Sequence, residues 1–282
     1  MLKDYSNVAP IALLHGVNSG CNNVDGWVDM ISNSLDNQVP VKCVEIGNGK
    51  VSSMFTRMFW QSDIVCHKLH NDPDFAGKEI NLLGISQGGL IARTVVETCA
   101  DLKINLLYTF GGPHGGVSVY EKCKHWYCPF VNHILGYLAE FLIVQNWGAP
   151  PDYYRPYWNL DRFYEHSIFL PEINNELEIK DAGYKARLTS VKNFGMWMWE
   201  QDTVVVPRQS EWFWNWDDGR NDIPLKEQQM YEEDWLGMKT LYESGRLWFY
   251  SGEGDHMNLT QTMIDDYLRP LLTGDTPIPS QY

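Results

Sequence analysis

Apolar positions fall into short runs, most of them closed by glycine, and the first three in chain order are each followed by a stretch of mixed polarity long enough for a helix. Ile11-Ala12-Leu13-Leu14 stops at His15-Gly16. Residues 39–46 stop at Gly47-Asn48-Gly49, and 104–110 stop at Gly111-Gly112-Pro113. The run 80–85 leads directly into Ser86. Such runs read as strands buried on both faces, as in a parallel sheet covered by helices. The segments between them, 24–35, 54–69 and 87–100, have helical length. Strand–helix alternation predicts right-handed βαβ units and an α/β fold. The alternation breaks after Pro113. Residues 114–190 are aromatic and irregular and are expected to form a lid-like insertion over one end of the sheet. Strands resume at 191–199 and 247–250, and a last helix is expected over 260–272, limited by Pro270. The tail 273–282 holds two prolines and is expected to fray. The core is thus placed at 8–113 and 191–272 of a single domain.

Composition narrows the function. With 282 residues, 44% hydrophobic and 21% charged, the chain is an ordinary globular one. Its 22 Lys+Arg against 36 Asp+Glu give a net charge of −14, which argues against nucleic acid and against a polybasic membrane surface as partners. No apolar run reaches the eighteen residues of a transmembrane segment. The first residues, Met-Leu-Lys-Asp-Tyr-Ser-Asn, contain no apolar signal core, which leaves a cytosolic chain or a processed start open. Six cysteines permit three bridges, though an even count is weak evidence for an oxidising compartment.

The chemistry begins at Gly84-Ile85-Ser86-Gln87-Gly88, a G-x-S-x-G sequence between a predicted strand and a predicted helix. A Gly-rich turn with an idle exposed serine is the bland alternative, and the strand–turn–helix setting weighs against it. Ser86 is therefore the candidate nucleophile. In this architecture the acid and then the histidine follow in chain order. His256 sits in a glycine-rich loop, 251–255, after the strand at 247–250, and is the candidate base. Asp202, in the loop after 191–199, is the candidate acid, with Glu200 as fallback. Asp255 is a poor orienter because neighbours in an extended loop point apart. The oxyanion donors are expected from the backbone amides of Gln87 and of Val17, in the loop after the first strand. His15 is expected to support that loop.

These residues carry a resemblance to a family. His15-Gly16-Val17, Glu45-Ile46-Gly47, Gly84 to Gly89, Gly111-Gly112-Pro113-His114-Gly115-Gly116-Val117, His166-Ser167-Ile168-Phe169-Leu170, Ile173-Asn174-Asn175-Glu176, Ser210-Glu211-Trp212-Phe213 and Gly254-Asp255-His256 span almost the whole chain. Together they resemble the palmitoyl-protein thioesterases, lysosomal α/β-hydrolases that remove fatty acyl groups from cysteines. The resemblance implies an α/β-hydrolase fold, Ser86, Asp202 and His256 as triad, no cofactor, and a lysosomal or secreted location. It implies S-palmitoylated protein or peptide and acyl-CoA as substrates, with free fatty acid as product. It also implies the bridges Cys66–Cys99 and Cys123–Cys128, while Cys21 and Cys43 have no implied partner and either pair together or stay free. The chain departs from the family's Gly-Gly-Gln-His-Gln-Gly pattern at Pro113 and Gly115.

Competing readings are a lipase or carboxylester esterase with the same triad, and a catalytically silent acyl-binding protein. Cys123, His125, Cys128 and His133 have zinc-compatible spacing, but a disulfide is the favoured reading. His67 and His70 share a helical face that is more simply a solvated one. Trp197 and Trp199 read as core. Asn258-Leu259-Thr260 is a glycosylation sequon, expected to be unoccupied because a glycan there would crowd His256.

Overall fold

A computed structural model describes residues 3–119 and 148–282. Six parallel strands form one sheet in the order β2-β1-β3-β4-β5-β8. These are β1 (Ile11–Leu14), β2 (Val41–Cys43), β3 (Glu79–Ile85), β4 (Lys103–Phe110), β5 (Asn193–Trp199) and β8 (Leu247–Gly252). A small antiparallel pair, β6 (Asn215–Trp216) with β7 (Asp222–Ile223), lies apart from it. The period-2 alternation of side chains sends residues to two separate cores. Ala12, Leu82, Met196 and Phe249 pack on one face with α3 (Met58–Asn71) and α4 (Gln87–Thr98). Leu13, Leu83, Phe110 and Trp199 pack on the other with α1 (Asp25–Ser34) and the C-terminal helix. Burial on both faces explains why the central strands β1, β3, β4 and β5 read as mainly apolar runs, while the edge strand β2 is half-buried to exposed. Trp197 and Trp199 are core residues, as expected. This is the α/β-hydrolase arrangement.

β1 pairs with β2 on one side and β3 on the other. The chain therefore reverses direction across the sheet at β1, and the crevice beyond the carboxyl ends of β1 and β3 is where such sheets bind ligands.

Several boundaries differ from the sequence expectation for identifiable reasons. The helix expected over 54–69 is two: α2 (Lys50–Phe55) and then α3. Arg57 between them is extended, and the Met58 amide donates to the Asp152 carboxylate at 2.9 Å, a cap supplied from 94 residues away. Pro270 does not limit the last helix, which runs through it to Thr273. A wide π-helical turn over Met263–Leu268 precedes it and relaxes the helix where proline lacks a donor. The tail was expected to fray, yet its end is docked. Gln281 donates to the Phe249 carbonyl, Phe249 donates to Ser280 Oγ, and the Tyr282 ring packs on Trp212 and Phe249.

Disulfides join Cys66 to Cys99 and Cys21 to Cys43, so the two cysteines without an implied partner pair with each other. Bridges closing loops of this size typically contribute about 3 kcal/mol each. The expected Cys123–Cys128 bridge and the alternative zinc set with His125 and His133 lie outside the described residues.

The described part of the expected insertion is anchored by buried charge. Arg93 on α4 is fully buried and donates to Glu97, to Asn174 Oδ1, to the Ile173 carbonyl and to His114 Nδ1. Within the segment, the Arg155 guanidinium donates to both oxygens of Glu176 at 2.9 Å and to the Tyr164 hydroxyl. Arg93–Glu97 is an i, i+4 pair on α4, but the reach of Arg93 to Asn174 and the Arg155–Glu176 pair do not follow from local sequence pattern.

Candidate active site

Ser86 stands at the junction of β3 and α4 with φ 56° and ψ −128°, a conformation unfavourable for any residue with a Cβ. The turn is possible because its neighbours are glycines. A Cβ on Gly88 would lie 2.5 Å from the Leu14 carbonyl oxygen, so only glycine lets α4 start this close to β1. Ser86 is thereby lifted to the sheet's carboxyl edge at the N-terminus of a 12-residue helix, whose free amides and dipole favour negative charge.

The loops after β5 and β8 meet Ser86. The Ser86 hydroxyl donates to His256 Nε2 at 2.9 Å. On the opposite edge of the ring, His256 Nδ1 donates to Asp202 Oδ2 at 2.5 Å. Asp202 is buried, and its other oxygen accepts the amides of Val204 and Val205 at 2.7 and 2.8 Å. Burial alone would raise its pKa. The hydrogen bond and charge of His256, with further bonds from Glu211 and Val205, outweigh burial and hold the carboxyl below its ordinary value. An ionised Asp202 fixes the tautomer with Nδ1 protonated and leaves the Nε2 lone pair facing the hydroxyl. Such a relay can accept a proton from the serine oxygen as that oxygen attacks an acyl carbon.

The other candidates separate cleanly. Glu200 accepts from the Ser251 hydroxyl. Asp255 accepts from Thr203 and from the His256 amide, so it shapes the loop and does not face the imidazole ring. His114 is fully buried, stacked on Phe213, and held neutral by burial and by the Arg93 charge. His15 is buried, with Nε2 2.7 Å from Glu45 Oε1, and so braces the loop after β1 against the chain after β2. That loop abuts the serine: a Cβ on Gly16 would stand 3.0 Å from Ser86 Cβ and 3.5 Å from its Oγ. Gly16, the residue before Val17, therefore stands in contact with Ser86. His70 rests on the Cys66–Cys99 bridge, with Nδ1 3.7 and 3.8 Å from the two sulfurs. The Asn258 side chain is exposed.

A family model described as palmitoyl protein thioesterase matches residues 10–256. The chain belongs to that family. It is 34% identical over 273 residues to palmitoyl-protein thioesterase 3 of Dictyostelium discoideum, covering 96% of this chain and 92% of the relative. It is 29% identical over 273 residues to palmitoyl-protein thioesterase 1 of Caenorhabditis elegans, covering 93% and 91%. Among solved structures, the mature lipase BlEst2 of Bacillus licheniformis superposes with a TM-score of 0.52 at 14% identity, over 94% of this chain and 92% of the lipase. Against the propeptide form of that lipase the chain spans 52% of its length. The likeness to the lipase is one of fold.

One residue beside this thioesterase-family site was given no role by the sequence. Glu211, on the turn Arg208–Trp212, is fully buried, and a carboxyl oxygen of it lies within 4.8 Å of Asp202 and His256. The sequence signal was present in Ser210-Glu211-Trp212-Phe213, but nothing in that motif says where its carboxyl points.

Proposed function

We propose that this protein hydrolyses long-chain fatty acyl thioesters, removing palmitate from S-acylated cysteines through an acyl-enzyme on Ser86. The observation carrying the reading is the unbroken Ser86–His256–Asp202 hydrogen-bond chain in a member of the palmitoyl protein thioesterase family. In the first half-reaction His256 Nε2 takes the hydroxyl proton as Ser86 Oγ bonds to the thioester carbon. The carbonyl oxygen becomes an oxyanion facing the Val17 and Gln87 amides, each such donor typically lowering the barrier by about 3–4 kcal/mol. Collapse breaks the carbon–sulfur bond, and the His256 imidazolium gives its proton to the departing thiolate, which returns the ring to its neutral form. A thiol has a pKa near 8.5, so its sulfur leaves with less help from a proton than an alkoxide needs. In the second half His256 deprotonates water, which attacks the acyl carbon, and fatty acid departs as Ser86 recovers its proton.

The substrate class is a protein or peptide S-acyl cysteine, with acyl-CoA as a smaller relative of the same bond. Burying a chain at about 0.8 kcal/mol per methylene makes acyl length a strong determinant of binding. We place the wall of the acyl groove in the described parts of the insertion, 114–119 and 148–190, of a single hydrolase domain, with the core on either side. The two disulfides among the described residues and the relatives named lysosomal thioesterases favour a lysosomal or secreted location. Palmitoyl-CoA, a palmitoylated peptide and short-chain oxyesters should be compared with wild type and Ser86→Ala. Selective long-chain thioester turnover that is lost in the variant is expected. A preference for short oxyesters would replace the reading with a carboxylester esterase.

A further inference from the structure

Glu211 and Asp202 are two buried carboxyl groups packed side by side. The Trp199 amide donates to Glu211 Oε2 at 3.3 Å, and Oε1 meets no donor. The groups facing Glu211 are Asp202 and His256, from the loops after β5 and β8, and Arg208 on its own turn, whose side chain is exposed and therefore screened. Asp202 is committed as acceptor on both oxygens, to His256 and to the amides of Val204 and Val205. Two adjacent carboxylates in a dry site cannot both ionise, and one proton between them turns repulsion into a hydrogen bond. Since Asp202 faces three donors and Glu211 one, the proton belongs on Glu211.

We propose that Glu211 is a positioning residue: as a neutral carboxylic acid it donates a hydrogen bond to Asp202 and holds that carboxylate on His256 Nδ1. The role builds on the triad reading above. Burial first, then the Asp202 charge and hydrogen bond, push the Glu211 pKa well up, in agreement with the geometry. The proton stays on Glu211 throughout turnover. Its function is to share the charge of Asp202 and fix the direction of its oxygens. Without that donor Asp202 presents more charge to His256, the imidazolium is favoured, and His256 titrates at higher pH.

The test uses Glu211→Gln, which keeps a neutral donor, and Glu211→Met, which removes it. Three readouts are taken. Infrared difference spectra of wild type minus Glu211→Gln at pH 7 should show a carboxylic-acid carbonyl band. The NMR titration of His256 should move upward in Glu211→Met and stay near wild type in Glu211→Gln. For thioester turnover, Glu211→Met should lose about tenfold in kcat/KM with its acid limb moved to higher pH, and Glu211→Gln should restore most of that loss. The absence of the infrared band overturns the proposal, as does an unmoved His256 titration in Glu211→Met. Should Glu211→Met not fold, the infrared band and the Glu211→Gln titration decide. Repeating the spectra on Ser86→Ala keeps the two readings separable: turnover surviving in that variant defeats the triad, while the band still reports the proton on Glu211.

Discussion

The elbow around Ser86 and the segment 148–190, whose Tyr153 hydroxyl donates to Gln87 Oε1, are held in place by opposite physics. The elbow is fixed by backbone geometry: one strained residue, flanking glycines, and a helix that starts within contact of β1. The segment is fixed by buried polar groups that reach across the chain, Arg93 to Asn174, Asp152 to Met58, Arg155 to Glu176. The first device is rigid at any pH and intolerant of added volume. The second is sensitive to the charge state of its parts.

Gly88→Ala strikes the first device hardest. A methyl group 2.5 Å from a carbonyl oxygen of β1 has no flexible neighbour to displace. We expect at least about 5 kcal/mol of destabilisation or failure to accumulate folded protein, read by chemical denaturation. A variant with native stability would show that elbow and strand can separate.

Arg93→Met tests the second device. Breaking a buried pair typically costs about 3–5 kcal/mol because a charge is stranded. Burial already pushes the Glu97 pKa up to about 7, ahead of the opposing charge of Arg93. Glu97 can therefore protonate when Arg93 is gone, and the loss should fall near the lower end, about 3 kcal/mol. Proteolysis within 148–190 should rise with it. An unchanged denaturation midpoint would mean that the arginine is not the anchor.

The smallest effect is a pH slope. Burial pushes the Asp152 carboxyl up to about 7 from 3.8, against the Met58 amide and the Arg57 charge, which both lower it. An acid with a raised folded pKa binds its proton more tightly when folded. Its stabilisation is complete below about pH 4 and is lost as pH climbs through about 7. Asp152→Asn removes that titration. Between pH 5 and 7.5 its Tm should fall less than that of wild type, the slopes differing by up to about 1 kcal/mol per pH unit. Equal slopes would place the pH sensitivity elsewhere.

What was legible in the sequence follows the same division. β1, β3, β4 and α4 could be read because a doubly buried strand and a glycine turn are local patterns, and the meeting of the Ser86, Asp202 and His256 side chains could be expected because chain order in this fold is fixed. The split between α2 and α3 could not be read, since its cap comes from Asp152. The docked tail escaped because Tyr282 finds its aromatic partners 33 and 70 residues earlier, at Phe249 and Trp212. Glu211 was visible as a letter in a signature and silent as a neighbour of Asp202, because adjacency of two carboxyl groups from separate turns is a tertiary fact.

The most direct measurement is rapid acid quench of the enzyme with a palmitoyl thioester, followed by mass spectrometry of the peptide containing Ser86. A palmitoyl ester on Ser86 that forms at the rate of turnover is the predicted result. Turnover with that peptide unmodified, or undiminished in Ser86→Ala, would contradict the account.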